Sequence, residues 1–213
     1  MHLFLDTADR EALARWLEIG LFHGVTTNPT ILKRAGVPCT ADALSSLAQD
    51  VFALGAREMQ AQAWGGAFEA YRETGRAIAS IDERMVVKLP ATEPGMRAAR
   101  ALIGEGARVT LTAVYATHQA VSARALGASY VAPYYGRIGD GGHDAAAMVT
   151  DMVRVCEGGP RVLVASIRCA SDIALLAARG ADTFTFGPAV ARELVEEQAT
   201  LAATEAFETD SRA

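Results

Sequence analysis

Short apolar runs alternate along this chain with stretches in which apolar residues recur every third or fourth position. The first pattern marks strands buried on both faces, and the second marks amphipathic helices. His2 to Asp6 reads as a strand. A helix follows, carrying Leu13, Trp16, Leu17 and Leu21. Gly24 to Asn28 is a β-branched strand closed by Pro29, which has no N–H to give a ladder. A helix around 41–54 buries Leu44, Leu47 and Val51. Met59 to Ala63 is a weak strand punctuated by Gly65-Gly66, and helix resumes through 67–78. Met85 to Pro90 is a fourth strand. Thr92 and Pro94 open the next helix, with Met96, Ala99, Leu102 and Ile103 inward and Gly104 at its end.

The alternation continues in the second half. A strand over 109–115 is followed by a helix over 116–126, and a strand covers 130–135. A glycine-rich loop (Gly136, Gly139, Gly141, Gly142) leads to a helix with Met148, Met152 and Val155. Arg161 to Ser166 is the seventh strand. Ser171 or Asp172 caps a helix with Ile173, Leu176 and Ala177. Thr183 to Gly187 is the eighth strand, and one terminal helix runs over 188–207. Eight strand–helix units without a linker predict a single α/β domain over 1–213: a (β/α)8 TIM barrel with a C-terminal helix. The competing arrangement is an open doubly wound sheet, but no G-x-G-x-x-G follows the first strand.

The size and charge of the chain narrow its partners. Its 213 residues suffice for one core. No run approaches the length of a membrane span, and the N-terminus lacks a signal-peptide pattern. A net charge of −5 with no basic run disfavours nucleic acid. The three cysteines, Cys39, Cys156 and Cys169, form neither a disulfide framework nor a C-x-x-C metal motif, which fits a reducing cytoplasm.

Candidate chemistry gathers at the carboxyl ends of the strands, where barrels of this type keep their sites. Those ends carry Asp6, Asn28, Gln62, Lys88, Thr112, Tyr134 and Ser166. Each has a plain alternative: Asp6 and Ser166 as helix caps, Asn28 as an Asx-turn, Gln62 as a lip residue, Thr112 as strand propensity, and Tyr134 as a core ring. Lys88 is the unusual one, because an ammonium on a strand apolar on both faces is costly. Either it snorkels to water, or burial keeps it partly neutral so that it adds to a ketone as a Schiff base. The imine is an electron sink for breaking or forming a carbon–carbon bond. Asp6 is the only carboxylate of the set and would move the hydroxyl proton. Gln62, Thr112 and Tyr134 would hold a water for imine formation, and Asn28 would orient a substrate hydroxyl. Arg137 and Arg168, with Ser166, suit a phosphate, unless they are solvated cations paired with surface acids. Asp140, His143 and Asp144 read as a turn and helix cap rather than a metal site.

Five blocks resemble the small transaldolases and fructose-6-phosphate aldolases. These are Leu5-Asp6-Thr7, Gly24-Val25-Thr26-Thr27-Asn28-Pro29, Val86-Val87-Lys88-Leu89-Pro90, Tyr130 to Tyr134 with Gly136-Arg137-Ile138, and Ala165 to Arg168. The resemblance implies Lys88 as the Schiff-base lysine and Asp6 as acid–base. It implies Asn28, with Thr27 in the same block, as substrate ligands, and Ser166, Arg137 and Arg168 as phosphate ligands. No metal or cofactor is implied. Gln62 and Tyr134 resemble the aldolase branch, where transaldolases carry Glu and Phe. Trp64 departs from the usual residue, and the loop over 136–144 looks more like the transaldolases. The implied reaction is aldol cleavage or formation in a ketose such as fructose 6-phosphate. The alternatives are transfer of a dihydroxyacetone unit between sugar phosphates, as in the pentose phosphate pathway, or a non-catalytic sugar-phosphate-binding barrel. Small members form pentamers or decamers, and Leu194, Val195, Leu201 and Phe207 offer apolar surface for a homo-oligomer.

Overall fold

A computed structural model describes residues 1–212 and shows eight parallel strands closed into a barrel in sequence order. The strands are β1 (His2–Asp6), β2 (Gly24–Thr26), β3 (Glu58–Gln62), β4 (Met85–Pro90), β5 (Val109–Val114), β6 (Tyr130–Pro133), β7 (Arg161–Val164) and β8 (Thr183–Phe186). β1 pairs with both β2 and β8, which leaves no open edge. The helices that cover the barrel are α1 (Arg10–Leu17), α2 (Pro29–Arg34), α3 (Ala41–Ala53), α4 (Phe68–Ala79), α5 (Glu93–Gly104), α6 (Thr117–Leu126), α7 (Tyr135–Asp140), α8 (Ala145–Val155), α9 (Ala170–Ala178), α10 (Pro188–Val195) and α11 (Gln198–Asp210).

The main core lies between strands and helices, where Leu44, Leu47, Val87, Leu89 and Leu102 are buried. A smaller apolar plug of Phe4, Val86, Tyr130, Ala132 and Leu163 fills the lumen. Below it, Glu58 is buried and accepts from Arg108 Nη1 at 2.6 Å, Gln60 Nε2 at 2.9 Å and Tyr130 OH at 3.1 Å. The barrel is therefore a packed core whose polar basin opens at one end.

Four elements depart from the sequence reading. The run after Asn28 is a helix, α2. Asn28 caps it by accepting from the N–H groups of Thr30 and Ile31, and Pro29 occupies its first turn. The glycine-rich loop begins as a short helix, α7, because Ile138 is buried there. Cys169, rather than Ser171 or Asp172, occupies the cap position of α9. The terminal helix is two helices. Glu196 leaves the helical line and pairs with Arg15 at 2.9 Å, while α10 buries Val190 and Ala191 and α11 buries nothing.

Candidate active site

Strand alternation decides which side chains enter the basin. On β1, Asp6 faces inward; Asp9, not Asp6, caps α1 by accepting from Ala12 N–H at 2.9 Å. The Thr26 hydroxyl donates to Asp6 Oδ1 at 2.6 Å and lies 2.5 Å from the Thr185 hydroxyl. A hydroxyl has one proton, so with Asp6 ionised Thr185 must be the donor to Thr26, making a relay that ends on the carboxylate. Thr26 and Thr185 went unnoticed in the sequence, although Thr26 sits inside the V-T-T-N-P block.

On β4, Lys88 is 4% exposed, and the alternation that puts Val86 in the lumen plug points its amine at the same basin as Asp6. Burial holds the Lys88 ammonium below its ordinary value, with Asp6 opposing. Burial likewise pushes the Asp6 carboxyl up, against the pull of Lys88, the Thr26 hydroxyl and Arg137. Both groups are thus moved toward their neutral forms, a fitting arrangement for an amine that must attack and an acid that must exchange protons.

The basin has two connected lobes. The inner one, about 100 Å³, is lined by Lys88, Asp6, Asn28, Ser166, Tyr134 and Arg137 among others. The outer, more open lobe, about 350 Å³, shares Asp6, Asn28, Tyr134 and Arg137 and adds Gln62 and Tyr115. Asn28 uses its carbonyl oxygen as the α2 cap, leaving its amide N–H groups for a ligand. Tyr134 OH lies 3.2 Å from the Thr112 hydroxyl. The Gln60 carbonyl oxygen accepts from Thr110 at 2.7 Å and its amide donates to Glu58. Gln62 is therefore the glutamine of β3 that reaches the basin.

Besides Thr112, two of the sequence candidates line neither lobe. Thr27 follows inward-facing Thr26, so alternation turns it to the wall; its hydroxyl is buried with no partner among the described residues, and its N–H bonds Gln60 O at 2.8 Å. Arg168 lines a hollow between α7, α8 and α9, where its guanidinium is paired with Asp140 through two bonds, one of them 2.8 Å, while its Nε lies beside Gly136, as the Ser166 hydroxyl does. Asp140 thus acts as the surface acid for Arg168. Asp144 caps α8, and no cluster of metal-ligand residues occurs among the described residues. Arg137 has no carboxylate within salt-bridge distance among the described residues; it stacks 4.9 Å over the Tyr134 ring and donates to Tyr115 OH at 3.4 Å.

Two non-glycine residues at this end have left-handed backbone: Ala113 with φ 56° at the β5 irregularity, and Ser166 with φ 61° just after β7. Each costs about 1–2 kcal/mol and is held only where the surroundings determine it. Ala113 lines the outer lobe and Ser166 the inner one.

Residues 3–213 match the family described as "Transaldolase/Fructose-6-phosphate aldolase". The chain belongs to this family. It is an enzyme of aldol chemistry, an aldolase or a transaldolase. A "probable transaldolase" of Hyphomonas neptunium is 32% identical over 215 residues, covering 100% of this chain and 97% of the relative. One from Thermus thermophilus is 33% identical, covering 94% and 93%. Among solved structures, a mandelate oxidase mutant with an FMN adduct superposes with a TM-score of 0.63 at 18% identity, over 89% of this chain and 65% of that one. That likeness is one of fold alone. No described helix is long and apolar enough to cross a membrane.

Proposed function

We propose that the enzyme works through an imine on Lys88, cleaving or forming the carbon–carbon bond of a hydroxylated ketose. The observation that carries this is a lysine 4% exposed, sharing one basin with a half-buried carboxyl whose proton affinity is raised. The neutral amine adds to the ketone, and water leaves with proton transfer through a water held by Gln62, Thr112 and Tyr134. Asp6 then takes the proton of the hydroxyl on the carbon being released, and the electron pair of the broken bond moves into the imine. The Asn28 amide donates to a substrate hydroxyl. Arg137 and Ser166 are the phosphate ligands nearest the reacting lysine; Arg168 joins them only by exchanging Asp140 for the phosphate.

The fate of the bound three-carbon unit separates two readings. Release to water is supported by Gln62 and Tyr134, the pattern of the aldolase branch. Transfer to an aldose phosphate is supported by the full-length relatives, which carry the name of probable transaldolases. Fructose 6-phosphate supplied without an acceptor discriminates: steady release of free dihydroxyacetone supports the first, and a single burst that resumes only when an aldose phosphate is added supports the second. A second copy of the chain covers α11, whose Leu201 and Phe207 are 47% and 70% exposed; a monomer on sizing chromatography contradicts this.

A further inference from the structure

We propose that Thr185 hands back the proton that Asp6 collects, through the buried Thr26 hydroxyl, and so protonates the carbon left by bond cleavage. Cleavage leaves the three-carbon unit on Lys88 as an enamine, whose carbon needs a proton before the ketone is freed. Asp6 by then carries the proton of the released hydroxyl. β1 lies between β2 and β8, with Asp6 level with Thr26 on β2 and Phe4 level with Thr185 on β8. The Thr26 and Thr185 hydroxyls meet 2.5 Å apart, and Thr26 bonds Asp6 Oδ1 at 2.6 Å. Asp6 and Thr185 both line the inner lobe with Lys88, whereas Thr26 lines neither lobe and is fully buried. The chain thus leaves the lobe at a carboxyl, runs behind its wall and re-enters it at a hydroxyl. Two bonds of 2.6 and 2.5 Å set these openings at most about 5 Å apart, so both face one bound substrate.

The direction of the hydroxyl protons follows the charge of Asp6. With the carboxylate ionised, Thr185 donates to Thr26 and Thr26 to Asp6. Once Asp6 is protonated it donates to Thr26, Thr26 turns to Thr185, and the Thr185 proton points into the lobe. One shift along the chain then moves the Asp6 proton to the Thr26 oxygen, the Thr26 proton to the Thr185 oxygen and the Thr185 proton to the enamine carbon. The carbon–carbon double-bond pair forms the new carbon–hydrogen bond, and the nitrogen lone pair re-forms the imine on Lys88. Asp6 is ionised again, and both hydroxyls point toward it as they did at the start. The net change is one proton moved from a substrate oxygen to a substrate carbon. No other carboxylate among the described residues lines the inner lobe, and the Tyr134 hydroxyl is engaged by Thr112 at 3.2 Å. Thr185 is therefore the lobe hydroxyl that is wired to the acid.

This inference rests on the Lys88 and Asp6 reading, and its test keeps the two apart. Two isotope exchanges are measured for the wild type, Thr185→Val, Thr185→Ser, Thr26→Val and the double variant Thr26→Val with Thr185→Val. Wash-in of solvent deuterium into dihydroxyacetone needs proton transfer at the enamine carbon. Passage of labelled carbon from glyceraldehyde 3-phosphate into fructose 6-phosphate needs only the carbon–carbon bond to break and re-form. The ratio of the first rate to the second falls about 100-fold in Thr185→Val, the low end of what a positioned acid–base group contributes, and stays near the wild-type value in Thr185→Ser. It falls as far in Thr26→Val and no further in the double variant, because either change cuts the same chain. A ratio that Thr185→Val leaves unchanged, that Thr185→Ser fails to restore, or that drops by the product of both losses in the double variant overturns the role of Thr185. So does a wild type that passes labelled carbon yet takes up no deuterium. A wild type that gains no borohydride-fixed mass on Lys88 overturns the imine reading instead.

Discussion

Thr26→Val removes one hydroxyl proton from the centre of the proposed site while keeping the shape of the side chain. The Thr26 hydroxyl is fully buried and donates to Asp6 Oδ1 at 2.6 Å, with Thr185 behind it at 2.5 Å. A hydrogen bond to a charged acceptor contributes about 1.5–3 kcal/mol, against about 1 kcal/mol to a neutral one. The ionised form of Asp6 therefore loses more than the protonated form, and at 1.36 kcal/mol per pH unit its pKa rises by about one unit. The carboxyl is already pushed up by burial, so it stays protonated further up the pH scale. The assay is kcat/KM for ketose cleavage against pH. Its acidic limb moves up by about one unit in the variant, while the alkaline limb holds. Stability gives a second reading with a fixed sign. A carboxyl whose folded pKa lies above its unfolded value loses stability as pH rises through that window. The deficit of the variant relative to wild type is then largest where Asp6 is ionised in both and shrinks once it is protonated in both. An acidic limb that does not move, with a stability deficit independent of pH, would refute Asp6 as the titrating acid–base and Thr26 as the group that tunes it.

Two more outcomes are expected. A methyl at Gly136 would stand 2.5 Å from Ser166 O and 2.7 Å from Arg168 Nε. Gly136→Ala therefore displaces the Ser166 turn, costs about 1–3 kcal/mol in denaturant unfolding and raises KM for phosphorylated substrate; wild-type values for both would count against that packing. At the other end of the barrel, His2 stacks on His23 at 3.8 Å and its pKa is lowered to about 4, first by burial and then by His23, Arg161 and the N-terminal amine, with Asp182 opposing. Its depressed value means that stability falls as pH drops from 6.5 toward 4, by at most about 3 kcal/mol and less for a partly exposed ring. His2→Phe flattens that slope in pH-dependent melting, and an unaltered slope would disprove the assignment.

The barrel was legible because each strand is a run of apolar residues too short for a helix and each helix shows its spacing. The basin was legible because barrel strands all deliver their carboxyl ends to one mouth, so Asp6, Gln62, Lys88 and Tyr134 could be read from position alone. What escaped depends on geometry that the sequence does not display. Pro29 stops a strand and starts a helix with equal ease, and the second use hid α2. Arg168 reads like Arg137 until the chain brings Asp140 beside it. Thr26 and Thr27 are neighbours of the same type, and only the inward register of β2 tells the one that bonds Asp6 from the one that faces the wall. The break before α11 is set by Glu196 turning to Arg15, a pairing 181 residues apart.

The imine itself is tested most directly by mass. Wild-type enzyme incubated with dihydroxyacetone and reduced with borohydride should gain one reduced three-carbon adduct, which peptide mapping places on Lys88, and Lys88→Met should gain none. A wild type that stays at its native mass while still turning over ketose, or an adduct that maps to another lysine, would contradict the buried amine as the reacting group.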